Sequence, residues 1–348
     1  MVADELHEVV RRLLEVDQRW GGAEAARVAR PVVRTAYEGL AGAAVGRGAG
    51  AGAERGAAEH GESAAAERSA GAAAERRASA AAERGESAAA ERGVGRDLQA
   101  GLGELLEVYG WFLHDAGHAA AAERASWRAL GLLRRAGHRS LELLTVQNLA
   151  LQALTSGRPE RVLELVRPVL DGASGLVSAL FLAREAQALA LMGLRREATR
   201  AFARAESRYL DGASGSDPEW AGWVDPRQFA IFEATMWSGL GEDERAARIF
   251  AETLETATGA RSRYSLSGYL LASLVRAGDL RSAVELVPEI VPQVSGFAVS
   301  RDSEVLLRAA SRMGSNDAGK HLQEVLWSGR GNSGGVLGGS CVQGRGER

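Results

Sequence analysis

Cysteine, lysine, proline and aromatic residues are all scarce in this 348-residue chain. Cys341 is the single cysteine, so no disulfide forms within the chain and no cysteine-based metal site exists. Lys320 is the single lysine, and arginine supplies every other basic charge. Prolines number 7 and aromatics are 5%, which disfavours a β-rich core and leaves Ala, Leu, Arg and Glu, strong helix formers, to set the architecture. A formal net charge of −3 gives no long-range attraction to nucleic acid. No apolar run approaches the roughly 18 residues of a membrane span. The opening MVADELHEVV is acidic and lacks the order of a signal peptide, and Arg11-Arg12 is followed by Glu15 and Asp17 instead of an apolar stretch. A cytoplasmic protein is expected, without a membrane partner.

What is present divides the chain into four segments. Residues 1–40 read as two amphipathic helices broken at Gly21-Gly22. Leu6, Val9, Val10, Leu13, Leu14 and Val16 form the buried stripe of the first. Over 41–96 Glu59, Glu67, Glu75, Glu83 and Glu91 recur every eight residues in AAAERGES-like units. Eight residues at 100° each leave about 80° of rotation per unit, so no face is sustained. The segment's eight Glu and eight Arg cancel, and a solvated low-complexity insert is expected. From 97 to 328 helical periodicity is nearly continuous. From 329 to 348 a Gly- and Ser-rich tail is expected to be disordered.

Within 97–328 a repeat is legible. Gly117, Gly157, Gly193, Gly241 and Gly278 serve as anchors. Five residues after each stands Ala122, Val162, Ala198, Ala246 or Ala283. Nine after stands Ser126, Val166, Phe202, Phe250 or Val287, and twelve after Ala129, Val169, Ala205, Thr253 or Ile290. Seven before stands Gly110, Ala150, Ala186, Ala234 or Leu271. Glycine ends one helix in a left-handed turn, and small residues on either side let the two helices of a hairpin approach. Larger residues farther on fill the gap to the next hairpin, so stacking is obligatory.

These offsets resemble the tetratricopeptide repeat over about 100–295, with Gly193–Ala198–Phe202–Ala205 the closest match. The anchors stand 40, 36, 48 and 37 residues apart, longer than the usual 34, and the repeat's early Trp and terminal Pro are mostly missing. An all-α superhelix of degenerate tetratricopeptide-type hairpins is expected. The segments LLTVQNLALQAL (143–154), FLAREAQALALMG (181–193), WAGWVDPRQFAIFEA (220–234) and ARSRYSLSGYLLASLVRAGD (260–279), with LHEVVRRLLEVDQRWGG (6–22), also resemble the C-terminal region of Xre-class helix-turn-helix regulators of high-GC bacteria. That resemblance implies a regulatory role.

In tetratricopeptide arrays the first helix of each hairpin lines a groove. The resemblance carries that role to Glu107, Trp111 and His114, to Gln147 and Leu151, to Gln187, and to Thr235 and Ser238, with Gln228 a turn earlier. Amides inside apolar helices need partners, whether water or a ligand. This set holds no cluster of Arg or Lys. His114, His118 and His138 read as cations at helix C-termini, favoured by the dipole, and not as metal ligands. Glu104, Glu107, Glu185 and Glu233 read as solvated partners of nearby Arg. Trp111, Trp127, Trp237, Phe229 and Phe232 read as core. No nucleophile elbow or phosphate loop occurs, so neither an enzyme nor a cofactor is expected.

The expected function is non-catalytic: regulation, through a peptide or protein partner bound in the helical groove, in transcriptional control. One alternative is the sensor arm of a DNA-binding transcription factor whose helix-turn-helix is missing from this chain. Another is a purely structural scaffold. Direct nucleic-acid binding is not expected, because Glu5, Glu8, Glu15 and Asp17 on the first helix repel phosphate. A homodimer is compatible with the sequence.

Overall fold

The computed structural model describes residues 3–50, 95–297 and 299–334, which form helices joined by turns and loops, with no strand among them. Helices α1 (Ala3–Trp20) and α2 (Gly22–Gly50) are followed by α3 (95–115), α4 (Ala119–Ala136), α5 (Arg139–Thr155) and α6 (Pro159–Leu170). Next come α7 (Gly175–Leu191), α8 (Arg195–Leu210), a 3₁₀ turn (Glu219–Trp223), α9 (Pro226–Gly239) and α10 (Asp243–Glu255). Helices α11 (Ala260–Ala277), α12 (Leu280–Ile290), α13 (Val294–Phe297), α14 (Arg301–Arg312) and α15 (Asp317–Gly334) complete the array. No helix among the described residues is long and apolar enough to cross a membrane. The expected boundaries at 40 and 329 both fall inside helices, since α2 runs to Gly50 and α15 to Gly334. The octad repeats from 51 on, and the tail beyond 334, lie outside the described residues.

All five anchor glycines have positive φ, between 67° and 81°. Each ends its helix in the same hydrogen-bond pattern. At the α7–α8 turn Gly193 N–H donates to Ala190 O and Leu194 N–H to Leu189 O, both at 2.9 Å. Only glycine adopts this left-handed corner without cost, which is why the turns recur at glycine. The close contacts that follow are equally regular. Ala122, Val162, Ala198, Ala246 and Ala283 are each 0% exposed. The positions seven before the anchors are buried too, and at Gly110 an added Cβ would lie 2.6 Å from Ser126 Oγ.

Helices therefore pair as α3/α4, α5/α6, α7/α8, α9/α10 and α11/α12, and the second helix of one pair generally packs on the first helix of the next. Two further hairpins flank these five, the first of them expected at Gly21-Gly22 and the second not. Gly21 (φ 83°) turns α1 into α2, and Gly314 (φ 68°) turns α14 into α15. At the latter, the small residue five beyond the turn is Gly319, where a Cβ would come within 2.8 Å of Met313 Cβ. The whole is an all-α helical-repeat fold.

The 48-residue spacing between Gly193 and Gly241 comes from an inserted segment, 211–225, between α8 and α9. Asp217 fastens it by accepting hydrogen bonds from Leu176 N–H (2.9 Å) and Val177 N–H (3.3 Å) at the start of α7. Trp220 Nε1 donates across to Ser140 O on α5 at 3.1 Å.

The array also closes on itself. Arg261, at the start of α11, donates to Asp17 near the end of α1 (3.0 Å) and to Asp115 at the end of α3 (2.6 Å). Arg301 of α14 reaches His114 of α3 at 3.1 Å. The first hairpins thus meet the last, and the concave side becomes the wall of a central cavity.

Candidate functional site

The cavity has a volume of about 1010 Å³ and is lined by α1, α3, α5, α7, α9, α11 and α14 together with the inserted segment. Its walls are largely apolar: Trp111, Leu151, Ile231 and Phe232 from the inner helices, and Trp220 and Trp223 from the insertion. Phe232, expected only as core, also faces this space, as does Trp111, expected both as core and as groove.

A buried polar network crosses the floor from α3 to α9. Asn148 Nδ2 donates to Glu107 Oε1. Gln147 Nε2 donates to Asn148 Oδ1 (3.1 Å), and Arg184 Nε donates to Gln147 Oε1 (3.1 Å). Arg184 Nη1 donates to Gln187 Oε1 (2.9 Å), and Gln187 Nε2 donates to Phe232 O (3.3 Å). The Arg184 guanidinium also lies over the Phe232 ring, 4.7 Å from its centroid. The amides that interrupt TVQNLALQAL are thereby explained. Gln147 and Asn148 belong to the floor, while Gln152 points the other way and donates to Ser126 Oγ at 2.9 Å. Ser126 in turn is the polar exception among the residues nine beyond the anchors.

Of the residues expected to line the groove, Glu107, Trp111, Gln147, Leu151, Gln187, Gln228 and Thr235 line the cavity. His114 and Ser238 do not. His114 is buried behind the wall. Ser238 donates to Asp243 Oδ1 (3.1 Å) and accepts from Arg276 Nη2 (2.5 Å), tying α9 to α10 and α11.

Three expectations about charge are corrected. Glu107 is not a solvated partner of arginine: it is 4% exposed, and burial pushes its pKa up to about 7, only partly offset by the bond from Asn148. Glu185 is buried as well, and pairs with Arg167 at 3.1 Å. His114 is not a helix-terminal cation. Burial, then the charges of Arg301 and Arg184, pull its pKa down to about 3, so it is neutral and its Nε2 accepts from Arg301. His118 and His138 stand at helix starts, where His138 Nδ1 accepts from Leu141 N–H (3.4 Å). Finally, the concave side does carry arginines: Arg184, Arg227, Arg261 and Arg301 all line the cavity.

Among the described residues no group of three or more His, Cys, Asp or Glu is arranged to hold a metal ion. Comparison with protein families, with curated proteins and with solved structures finds no match to this chain.

Proposed function

We propose that this chain is a non-catalytic regulatory protein of the tetratricopeptide type that binds a short peptide segment, or a ligand of that size, in its central cavity. The observation that carries the reading is the cavity itself. Ligand pockets of about 300–1,000 Å³ bury most of a drug-sized ligand, with apolar walls and a few fixed polar groups. A space of about 1010 Å³ with tryptophan-rich walls and a hydrogen-bonded polar floor has that character. It suits a short segment better than a folded partner, which narrows the protein-or-peptide expectation. The polar side chains of the floor are engaged chiefly with one another, which favours positioning over chemistry. A role in transcriptional control rests on the resemblance of the helical segments alone.

The test is a screen of short apolar peptides and small amphiphiles by thermal shift and by the fluorescence of the full chain, whose Trp111, Trp220 and Trp223 line the cavity. Binders should raise the melting temperature and change the emission. A variant with Leu151→Trp and Thr235→Trp, which obstructs the cavity, should stay helical and lose the response. Equal binding by that variant would place the ligand elsewhere and overturn the proposal.

A further inference from the structure

The charged groups around the cavity are not evenly matched. Arg227 pairs with Asp225 at 3.3 Å, and Arg261 pairs with Asp115 at 2.6 Å. Arg184 and Arg301 are less fully matched. Arg184 is 5% exposed, and it donates hydrogen bonds to the neutral amides of Gln147 and Gln187. Arg301 donates to neutral His114, and its Nε is buried with no hydrogen-bond partner among the described residues. Arg301 Nη2 also pairs with Asp302 Oδ1, at a long 3.5 Å, while Asp302 Oδ2 accepts from Ser265. A desolvated cation is costly unless an anion or a full set of acceptors compensates it. Both arginines line the cavity, and the charge of each disfavours protonation of His114, which Arg301 contacts directly. Burial and the charge of Arg301 also pull the pKa of Arg184 down to about 9, which leaves it cationic at neutral pH.

Resting on the binding role argued above, we propose that the ligand carries one carboxylate and that Arg184 and Arg301 bind it. The guanidinium fork matches a carboxylate in geometry and supplies charge-assisted hydrogen bonds. Asp115 and Asp302 line the same space, so a second negative charge on the ligand meets repulsion, which favours a carboxylate over a phosphate dianion. The apolar walls require the remainder of the ligand to be apolar. Two sources share this chemistry: the C-terminus of an apolar peptide and a small aliphatic acid.

The experiment uses the full chain and matched probes. One pair is a pool of N-acetylated apolar tetrapeptides with free C-termini, against the same pool with C-terminal amides. The other pair is decanoate against decanol. Binding is measured by titration calorimetry for the wild type, Arg184→Gln and Arg301→Gln, with helicity checked by circular dichroism. In at least one pair the carboxylate member should bind at least tenfold more tightly, and either substitution should erase that preference. Preference in the peptide pair identifies a C-terminal segment, and preference in the decanoate pair identifies a small acid. Equal binding of charged and neutral members overturns the carboxylate assignment while leaving the cavity as a binding site. Binding by none of the four probes overturns both. If one substitution unfolds the chain, the other decides, and a folded Arg→Gln variant that keeps the preference also overturns the assignment.

Discussion

Glu107 and His114 lie two turns apart on α3, both buried, and burial displaces their proton affinities in opposite senses. The folded state holds the Glu107 proton up to about 7, whereas the ordinary value is 4.5. Between those values the folded state binds more protons than the unfolded one, so this group lowers stability as pH rises, by up to about 3 kcal/mol. His114 acts the other way. Its folded value of about 3 lies below the ordinary 6.5, so its contribution grows as pH rises from 3 to 6.5. The two slopes offset one another from about 4.5 to 6.5. Glu107→Gln keeps an acceptor for Asn148 and removes the titration. It should leave stability near wild type at pH 4, stabilise the chain at pH 8 by up to about 3 kcal/mol, and expose the rising histidine slope between. Urea denaturation across that range measures it, and an unchanged or lowered stability at pH 8 contradicts the burial of an ionisable carboxyl there. At this scale the sequence was half legible. The glutamines stood out because they broke apolar helices. Arg184 did not, because Arg184-Glu185 reads as an ordinary solvated pair, whereas Glu185 turns to Arg167 on α6 and Arg184 turns to the cavity.

The hairpins follow from a local rule, a left-handed glycine with a small residue five positions on, and local rules are what a sequence displays. Ala198 is fully buried where α7 and α8 meet, so a larger side chain has no space. Ala198→Leu should destabilise by about 1–3 kcal/mol through overpacking, read as a lower urea midpoint at unchanged slope. A fully tolerated leucine would mean that the two helices do not approach there. The rule failed to reveal the turn at Gly314 for a physical reason. Its small residue is Gly319, and a glycine inside a glycine-bearing stretch reads as loop, although here it permits an even closer contact with Met313. The insertion before α9 was legible only as an irregular spacing. Its attachment through Asp217 and Trp220 joins elements some 40 and 80 residues away, with no periodic signature.

At the scale of the whole molecule, the decisive contacts are the most distant in sequence. Asp17 and Arg261 are 244 residues apart, and Asp115 and Arg261 are 146 apart, so no motif announces that the superhelix closes. The order of hairpins and the inner helix of each were readable. That the groove is a cavity was not. Beside the Arg301–His114 contact, the seam is held by one guanidinium, Arg261, between two buried carboxylates. Burial raises the pKa of Asp17, and Arg261 offsets part of that effect. Removing the cation leaves two buried like charges without the partner they share, a strong penalty in a dry interior. Arg261 is about a third exposed, so solvent screens part of it, and about 1–3 kcal/mol is the expected loss. The most direct test of the closed array is small-angle X-ray scattering on the wild type and on Arg261→Gln. The wild type should give the compact profile calculated for closed hairpins, and the variant should show a larger radius of gyration at unchanged helicity. A wild type that already scatters as an open superhelix, or a variant identical to it in both size and stability, would contradict the closure and the cavity that depends on it.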